Sequence, residues 1–473
     1  MRACGLFVSL LLLAAFFAGA AAAATDRDRP NLVLILADDL GYGDLACFGH
    51  PLVKTPNLDR LAQRGVRLTN FYADAPVCSP TRAALLTGRV PQRNGLTNVI
   101  EVEDEHSHLS ADEQLLPQLL KAHGYATGIV GKWHLGEEQP YRPNQRGFDY
   151  FVGGLKGGLD FFCHDFIGGR HDLWQNNTAI DRPGEYITDL TAAEAEQFID
   201  AHNEVPFFLY VPFHAVHTSM GSKTRNVVQA TRATLERYVP DASANDEIPV
   251  GVRMAAFASA MDDAVGRIEQ ALARHDLSDR TLIVFTSDNG PVTKAGGSAG
   301  SFRGEKHSLW EGGIRVPTIA CWPDKLPAGT TSNALGATHD VLPTLMAAAR
   351  LPLPDGLNID GRDLLPILSQ NPTTDHSDES DARTLCWSYV RDSLGTRERA
   401  VRRGPWKWLN GELYNLDDDA GETTDLATTH PDTAAALTAA WDKWVSQFPR
   451  ELERWDGRNP QRKPTKRLNA SAS

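Results

Sequence analysis

The sequence predicts an α/β fold in which a large mixed, mostly parallel sheet lies between layers of helices, followed by a smaller C-terminal domain with a short antiparallel sheet and a helix. Continuous apolar runs are the first observation, because strands buried on both faces of a parallel sheet are apolar without alternation. Helical patterns between these runs are the second, and they indicate a doubly wound sheet. A length of 473 residues is enough for both domains. The apolar runs occupy residues 31–37, 126–130, 207–211 and 281–285.

The first 24 residues have the pattern of an export signal. Arg2 supplies a positive charge, residues 6–17 are apolar and residues 18–24 are small, as in a cleaved secretory peptide. A membrane anchor is the alternative, but the strongly apolar part is short for a span, and no later segment is long and apolar enough. We therefore predict a signal peptide over residues 1–24 and an exported protein, periplasmic or secreted, with no membrane span after cleavage.

Start and stop residues predict the helices of the large domain, which we assign to residues 25–375. The first two predicted helices each begin at a proline or at a residue with a capping hydroxyl, and they end at a glycine or at a basic residue. The predicted helices occupy residues 55–65, capped at Thr55, residues 110–121, capped at Ser110, and residues 253–274.

A polar stretch over residues 366–381 is the best candidate for a domain boundary. The smaller domain is assigned to residues 382–457, and the basic tail 458–473 is expected to be disordered because it has few apolar residues. Short antiparallel strands are predicted over residues 384–389, 398–401, 406–409 and 412–416, followed by a helix over 432–448.

Charge and cysteine content limit the function further. A net charge of −13 argues against nucleic acid as a partner, so an anionic substrate would need a locally basic pocket. Cys4 should leave with the signal. The cysteines other than Cys78 that remain allow three disulfide pairings or none; they are Cys47, Cys163, Cys321 and Cys386.

Acidic and amide side chains follow two of the predicted strands. Asp38 and Asp39 come after the first, and Asp288 and Asn289 come after the last. Ligand sites in open α/β sheets gather at the carboxyl ends of strands, and an all-oxygen set suits Ca²⁺ or Mg²⁺ rather than zinc. Capping of the following helices is the alternative. Two such pairs at equivalent strand ends favour a metal site.

Cationic and titratable side chains follow the two middle strands. Lys132 and His134 alternate after the strand that ends at Val130, which would place them on one side of an extended segment. Such a pair suits anion binding and proton transfer. After the strand over 207–211 come His214 and His217.

Cys78 begins the run Cys-Ser-Pro-Thr-Arg, followed by Ala-Ala-Leu-Leu-Thr-Gly-Arg. Pro80 suits a first helical turn and Gly88 can end the helix, so Cys78 lies at a helix N-terminus, with Arg82 one turn further on. A thiolate nucleophile and an inert core cysteine are the two interpretations from the residues alone.

The run Cys-x-Pro-x-Arg with Leu-Thr-Gly-Arg resembles the formylglycine-dependent, arylsulfatase-like sulfatases of the alkaline phosphatase superfamily. Gly-Lys-Trp-His-Leu-Gly at 131–136 and the segment 302–315 carry the same resemblance. It implies a sulfuric ester hydrolase in which a formylglycine-generating enzyme or its equivalent converts Cys78 to an aldehyde. It also implies one Ca²⁺ ion, with Mg²⁺ the lesser candidate, bound by Asp38, Asp39, Asp288, Asn289 and the modified side chain at Cys78.

The resemblance also implies catalytic roles. Arg82, Lys132 and Lys306 would bind the sulfate, and His134 would contact the formylglycine hydroxyl. His217, with His214 as a rival, would bind substrate, and His217 or Lys306 would protonate the departing alcohol. One hydroxyl of the aldehyde hydrate would attack sulfur, and loss of a proton from the other would release sulfate.

Two alternatives stay open at this point. A phosphoester or phosphonate ester hydrolase of the same fold is one, and an unmodified, inactive binding protein is the other. The resemblance favours a sulfated carbohydrate or an aryl sulfate as substrate, and export favours the carbohydrate. Specificity should lie in loops, of which residues 98–108, with an acidic run from Glu101, and residues 156–174 are the candidates; the second contains His164, Arg170, His171 and Trp174.

Overall fold

The computed structural model describes residues 29–101, 107–241, 246–370, 383–391 and 396–448. The predicted signal peptide, the tail 458–473 and most of the polar boundary lie outside these residues. In the part of the chain that is described, we find no helix that has both the length and the apolar character needed to cross a membrane.

Strands and helices alternate through the large domain, and strands dominate the C-terminal part. The strands are β1 (Asn31–Ala37), β2 (Val66–Leu68), β3 (Phe71–Tyr72), β4 (Ala126–Val130), β5 (Tyr150–Gly153), β6 (Asp165–Phe166), β7 (Arg170–His171), β8 (Trp174–Gln175), β9 (Thr178–Ala179), β10 (Phe207–Pro212), β11 (Thr281–Ser287), β12 (Thr318–Cys321), β13 (Thr330–Ser332), β14 (Gly336–Ala337), β15 (Thr384–Arg391), β16 (Thr396–Arg403), β17 (Trp406–Leu409) and β18 (Glu412–Asn415). The α-helices are α1 (Pro56–Arg64), α2 (Cys78–Thr87), α3 (Pro91–Asn94), α4 (Leu116–Lys121), α5 (Ile187–His202), α6 (Arg232–Leu235), α7 (Val250–Arg274), α8 (Glu311–Ile314), α9 (Val341–Ala348), α10 (Leu365–Leu368) and α11 (Pro431–Val445).

The large sheet is mixed, with a parallel centre, as predicted. Its strand order is β13-β2-β12-β11-β1-β10-β4-β5-β8-β9. The central run from β11 to β5 is parallel throughout, whereas β12 and β8 pair antiparallel at its two ends. The carboxyl ends of the four apolar runs therefore meet at one edge of the sheet.

Helices cover both faces of this sheet. Alternate residues of β1 enter two different cores, because successive side chains of a strand point to opposite faces. Val33 and Ile35 pack into the core that α1, α5 and α7 complete. Leu32 and Leu34 pack into the core that α2, α4 and α9 complete. Burial on both faces explains why these strands are apolar without alternation.

The helix predicted over residues 110–121 begins only at Leu116, so that prediction was wrong for its first half. The Ser110 hydroxyl accepts from the Asp112 amide in a local turn. Arg146 donates to the carbonyls of Ser110 and Glu113. These contacts give the backbone groups of this segment hydrogen-bond partners without the hydrogen bonds of a helix. The helix predicted from residue 253 in fact begins at Val250.

The helix α1 is capped from another helix rather than by Thr55. The Thr55 side chain makes no cap hydrogen bond. Buried Asp262 of α7 instead accepts from the amides of Asn57 and Leu58 at 3.1 and 2.7 Å. Two of the amides that a helix start leaves without a partner are thus satisfied by a carboxylate more than 200 residues away.

Asp262→Ala is expected to lower the free energy of unfolding by about 2 kcal/mol, because it removes the cap and leaves buried amides unsatisfied. Chemical denaturation measures this. The matched control is Asp263→Ala, which removes an exposed ion pair with Arg237 and should cost less than about 1 kcal/mol. Equal losses in the two variants would contradict the capping role.

The C-terminal sheet has the order β15-β16-β17-β18 and is antiparallel. The four predicted strands and the helix α11 all form, with bounds within three residues of those predicted. One face of the sheet packs on the large domain and the other on α11. Fully buried Lys407 forms ion pairs with Glu311 and Glu422, which ties the small sheet to the segment that follows Lys306.

Candidate active site

A cavity of about 210 Å³ opens at the carboxyl edge of the large sheet. Cys78, at the start of α2, lies on its wall together with residues from five loops. Those that bear on the chemistry are His134, Lys156, His217, Arg225 and Lys306. The cavity is where the sheet topology brings the separate sequence motifs together.

Asp38 and Asp39 directly follow β1, and Asp288 and Asn289 directly follow β11, so the parallel pairing of these strands brings the four side chains together. All four are buried. The Asp39 amide donates to Asp288 Oδ1 at 3.2 Å, and Asn289 Nδ2 donates to Asp39 Oδ1 at 2.8 Å.

Two oxygens of this set, Asp38 Oδ1 and Asn289 Oδ1, are buried and have no hydrogen-bond partner among the described residues. Buried oxygens without partners are costly unless something compensates them. Ligand atoms of Asp38, Asp39 and His217 also lie within 4.8 Å of one another. Three carboxylates and an amide oxygen fit a hard divalent cation.

The pKa values of Asp39 and Asp288 are shifted in opposite directions. Burial would raise the pKa of Asp39, but the charges of Lys306 and His217 outweigh it and hold that pKa below its usual range. Burial, followed by the nearby charge of Asp38, raises the pKa of Asp288 to about 6. A cation bound among these oxygens would favour the ionised form of both.

Arg82 and Lys132 lie behind the carboxylates and do not line the cavity. Arg82 donates through Nε and Nη2 to Asp288 Oδ2 at 2.9 and 2.8 Å, and through Nη1 to the Lys132 carbonyl. Lys132 Nζ donates to Asp38 Oδ2 at 2.6 Å. Both side chains are fully buried. They orient the carboxylates and balance their charge, and their direct contact with sulfate stays a prediction.

His134 and Cys78 contact each other directly. Cys78 Sγ lies 3.2 Å from His134 Nδ1, and His134 Nε2 lies 3.1 Å from the Ile100 carbonyl. A carbonyl only accepts, so Nε2 carries the hydrogen and Nδ1 faces Cys78 as an acceptor. Burial, with the charges of Lys132 and Arg82, holds the pKa of His134 well below 6.5. Burial also raises the pKa of the Cys78 thiol, which disfavours the thiolate.

Of the two rival histidines, His217 faces the cavity and His214 does not. His217 Nε2 lies 3.6 Å from Asp39 Oδ2, and its Nδ1 donates to the Thr218 carbonyl at 2.6 Å. Burial lowers the pKa of His217 to about 4 although Asp39 opposes this. Both ring nitrogens of His214 are buried and have no hydrogen-bond partner in the part of the chain that the structure describes. Across the cavity, Lys306 Nζ donates to Asp39 Oδ1 at 2.6 Å.

Sequence reasoning missed Phe166, Arg225 and His307 as cavity residues, and named Lys156 only as the first residue of a candidate loop. No local pattern marks them, because Arg225 and His307 come from irregular loops and Phe166 ends the two-residue strand β6. Apart from Lys156, none of the aromatic and basic residues named in that loop lines the cavity. His164 is buried against the Glu185 carbonyl, and Arg170 lies over Phe166. His171 hydrogen-bonds to the carbonyls of Leu173 and Ile180, and Trp174 lies under Arg142.

Gly157 leaves room for the ring of His134. A Cβ atom added at residue 157 would lie 2.7 Å from His134 Cε1 and 2.8 Å from Nε2. The ring would have to move, and with it the contact of Nδ1 with Cys78. Positions 157 and 134 are therefore coupled sterically.

Gly157→Ala is expected to lower the catalytic rate between tenfold and a hundredfold, because a displacement of about 1 Å in a catalytic group is enough to cost that much. Steady-state kinetics measure this, and a thermal melt shows whether the fold is kept. Gly251→Ala is the control, because a Cβ at residue 251 would have nothing within 4 Å. Full activity in Gly157→Ala would show that the position of His134 does not matter.

Comparison with known proteins places the chain in a family. The family model described as Sulfatase matches residues 30–351. The chain belongs to the sulfatase family. This sulfatase is 36% identical over 435 residues to the N-acetylgalactosamine-6-sulfatase of Sus scrofa, which covers 85% of this chain and 77% of the relative. It is 36% identical over 384 residues to the arylsulfatase A of Homo sapiens, and the match covers 76% of this chain and 70% of that relative.

A solved structure supports the same assignment. The crystal structure of Ps i-CgsB in complex with k-i-k-neocarrahexaose matches with a TM-score of 0.79 and 30% identity, covering 92% of this sulfatase and 94% of that chain. Together these relatives show that the protein is a sulfuric ester hydrolase with the α/β fold of the family.

The cysteines of the described residues form no disulfide in this sulfatase. Cys47, Cys78, Cys163, Cys321 and Cys386 are all free. The large buried cores supply the stability that disulfides give to small exported domains.

Proposed function

We propose that this sulfatase hydrolyses a sulfate monoester of a carbohydrate, using formylglycine formed from Cys78 and one bound Ca²⁺ ion. The contact between Cys78 Sγ and His134 Nδ1, beside the buried oxygens without partners, carries the proposal. One relative is named N-acetylgalactosamine-6-sulfatase, and one similar solved structure is a complex with k-i-k-neocarrahexaose. Both names support a carbohydrate substrate. The pattern of residues 1–24 supports export to the periplasm or medium.

The cation would be held by Asp38, Asp39, Asp288, Asn289 and the modified side chain at Cys78. When bound, it supplies positive charge that polarises the sulfate and favours an ionised hydroxyl. The aldehyde hydrate at residue 78 supplies a hydroxyl nucleophile and a second hydroxyl through which sulfate can be released.

The residues of the chain supply the remaining chemistry. Lys306, protonated and facing the cavity, binds sulfate oxygens and stabilises the charge that develops on them. His134 accepts a proton at Nδ1 from a hydroxyl at residue 78, the position at which Nδ1 now meets Sγ. A bound sulfate beside His217 raises the pKa of that imidazole, so that Nε2 gains a proton and donates it to the departing alcohol.

Sulfate release from sulfated oligosaccharides tests the proposal. The protein is produced together with a formylglycine-generating enzyme, supplied with Ca²⁺ and assayed beside matched phosphate esters. Release of sulfate is the expected result. Release of phosphate alone would support a phosphoester hydrolase, and release of neither with a confirmed aldehyde at residue 78 would contradict the carbohydrate assignment.

A further inference from the structure

We propose that Arg225 recognises a second anionic group on the substrate, a carboxylate or a second sulfate, so that this sulfatase prefers doubly charged glycans. The inference rests on the proposed function and specifies its substrate. Arg225 lines the same cavity as Cys78 and Lys306, and its side chain is exposed to solvent.

Arg225 differs from the other two cations of the cavity wall because no acidic residue in the described ranges is its partner. Lys306 is paired with Asp39 and Lys156 with Glu137. Among the described residues, Arg225 forms neither an ion pair nor a side-chain hydrogen bond. Its guanidinium therefore keeps its donors for a ligand, and a guanidinium can bind a carboxylate or a sulfate through two parallel hydrogen bonds.

The turn that carries Arg225 is held in place. The Ser219 amide donates to the Val227 carbonyl and the Asn226 amide to the Ser219 carbonyl, both at 2.8 Å. The hydroxyl of Thr224 donates to Asp160, and that of Ser222 donates to Asp165. Arg225 thus extends from a fixed backbone, which lowers the entropy lost when it binds.

The size of the cavity and the charge around it indicate that a second anion is bound by direct contact and not by long-range electrostatic attraction. Its volume of about 210 Å³ suits one sulfated sugar rather than an oligosaccharide, so a second anion lies on the same or the adjacent ring. Exposed Glu101 lines the cavity as well, and the protein carries a net charge of −13. An anion is therefore bound by Arg225 itself and not by a broad basic surface.

The test compares three disaccharides that share one sulfate ester. One has no other charge, one has an added carboxylate and one has an added sulfate. We expect the wild-type protein to prefer a doubly charged substrate in kcat/KM. Arg225→Ala should reduce that preference roughly tenfold, mainly through KM, and Arg225→Lys should restore part of it. The doubly charged substrate whose kcat/KM falls more in Arg225→Ala identifies the anion that Arg225 binds.

Lys223→Ala is the matched control, because Lys223 lies on the same turn, is exposed and does not line the cavity. It should keep the wild-type preference. An equal loss on all three substrates in Arg225→Ala, or a wild-type protein without preference, would overturn this inference alone. Absence of sulfate release from all three by a wild-type protein with a confirmed aldehyde at residue 78 would contradict the carbohydrate assignment and this inference with it.

Discussion

Cys78→Ala is expected to reduce sulfate release by at least 10⁴-fold, because the variant lacks the side chain from which the nucleophile is made. The change removes one buried sulfur next to His134, so the fold should be kept. Steady-state sulfate release and a thermal melt, run together, measure both.

Cys163→Ala is the control for this variant, since Cys163 is exposed and lies outside the cavity. Mass spectrometry of the peptide that contains residue 78 shows whether the wild-type cysteine has been converted. Turnover by Cys78→Ala at a rate near that of the wild-type protein would contradict the mechanism. A wild-type protein that binds sulfated glycans without turnover, with an unconverted thiol, would support the binding-protein alternative.

Removal of divalent cations is expected to lower sulfate release by about 10³-fold, because a bound cation supplies several kcal/mol of charge stabilisation. It should also lower the melting temperature by a few degrees, since a ligand that binds only the folded state stabilises it. The physical reason lies in Asp38, Asp39 and Asp288, which repel one another when no cation is bound. Dialysis against a chelator, followed by titration with Ca²⁺ or Mg²⁺, measures both effects.

A pair of variants shows whether the effect arises at this site. Asn289→Leu removes one of the oxygens without a partner and should abolish the rise in melting temperature with Ca²⁺. Asp44→Asn should keep it, because the carboxylate of Asp44 accepts from the amides of Gly41 and Ser298 instead. A rise that persists in Asn289→Leu would place the cation elsewhere.

Much of the site could be predicted from the sequence because its chemistry lies at strand ends. A strand buried on both faces is recognisable from its composition alone, and the residues that follow it must lie at one edge of a parallel sheet. Asp38 and Asp39 after β1, and Asp288 and Asn289 after β11, were found in this way. Cys78 and Gly88 were placed at the two ends of α2 by local helix signals.

Backbone conformation near the site could not be predicted in the same way. Asp39 and His134 adopt left-handed conformations, with φ of 62° and 58°, which non-glycine residues rarely take. The simple alternation expected for Lys132 and His134 therefore does not hold past Val130. Both side chains nevertheless turn into the site, one toward Asp38 and the other toward Cys78.

The sequence by itself determined the fold class, the cluster of carboxylate and amide side chains at the strand ends, and the family, because each depends on short segments whose residue types limit what they can form. Only the tertiary structure decided which cations are paired and which remain open to a ligand. Arg82 and Lys132 are paired with buried carboxylates, whereas Arg225 faces the cavity. It also decided that Asp262 caps α1. These contacts join residues far apart in the chain, and no local pattern encodes the path of the loops that bring them together.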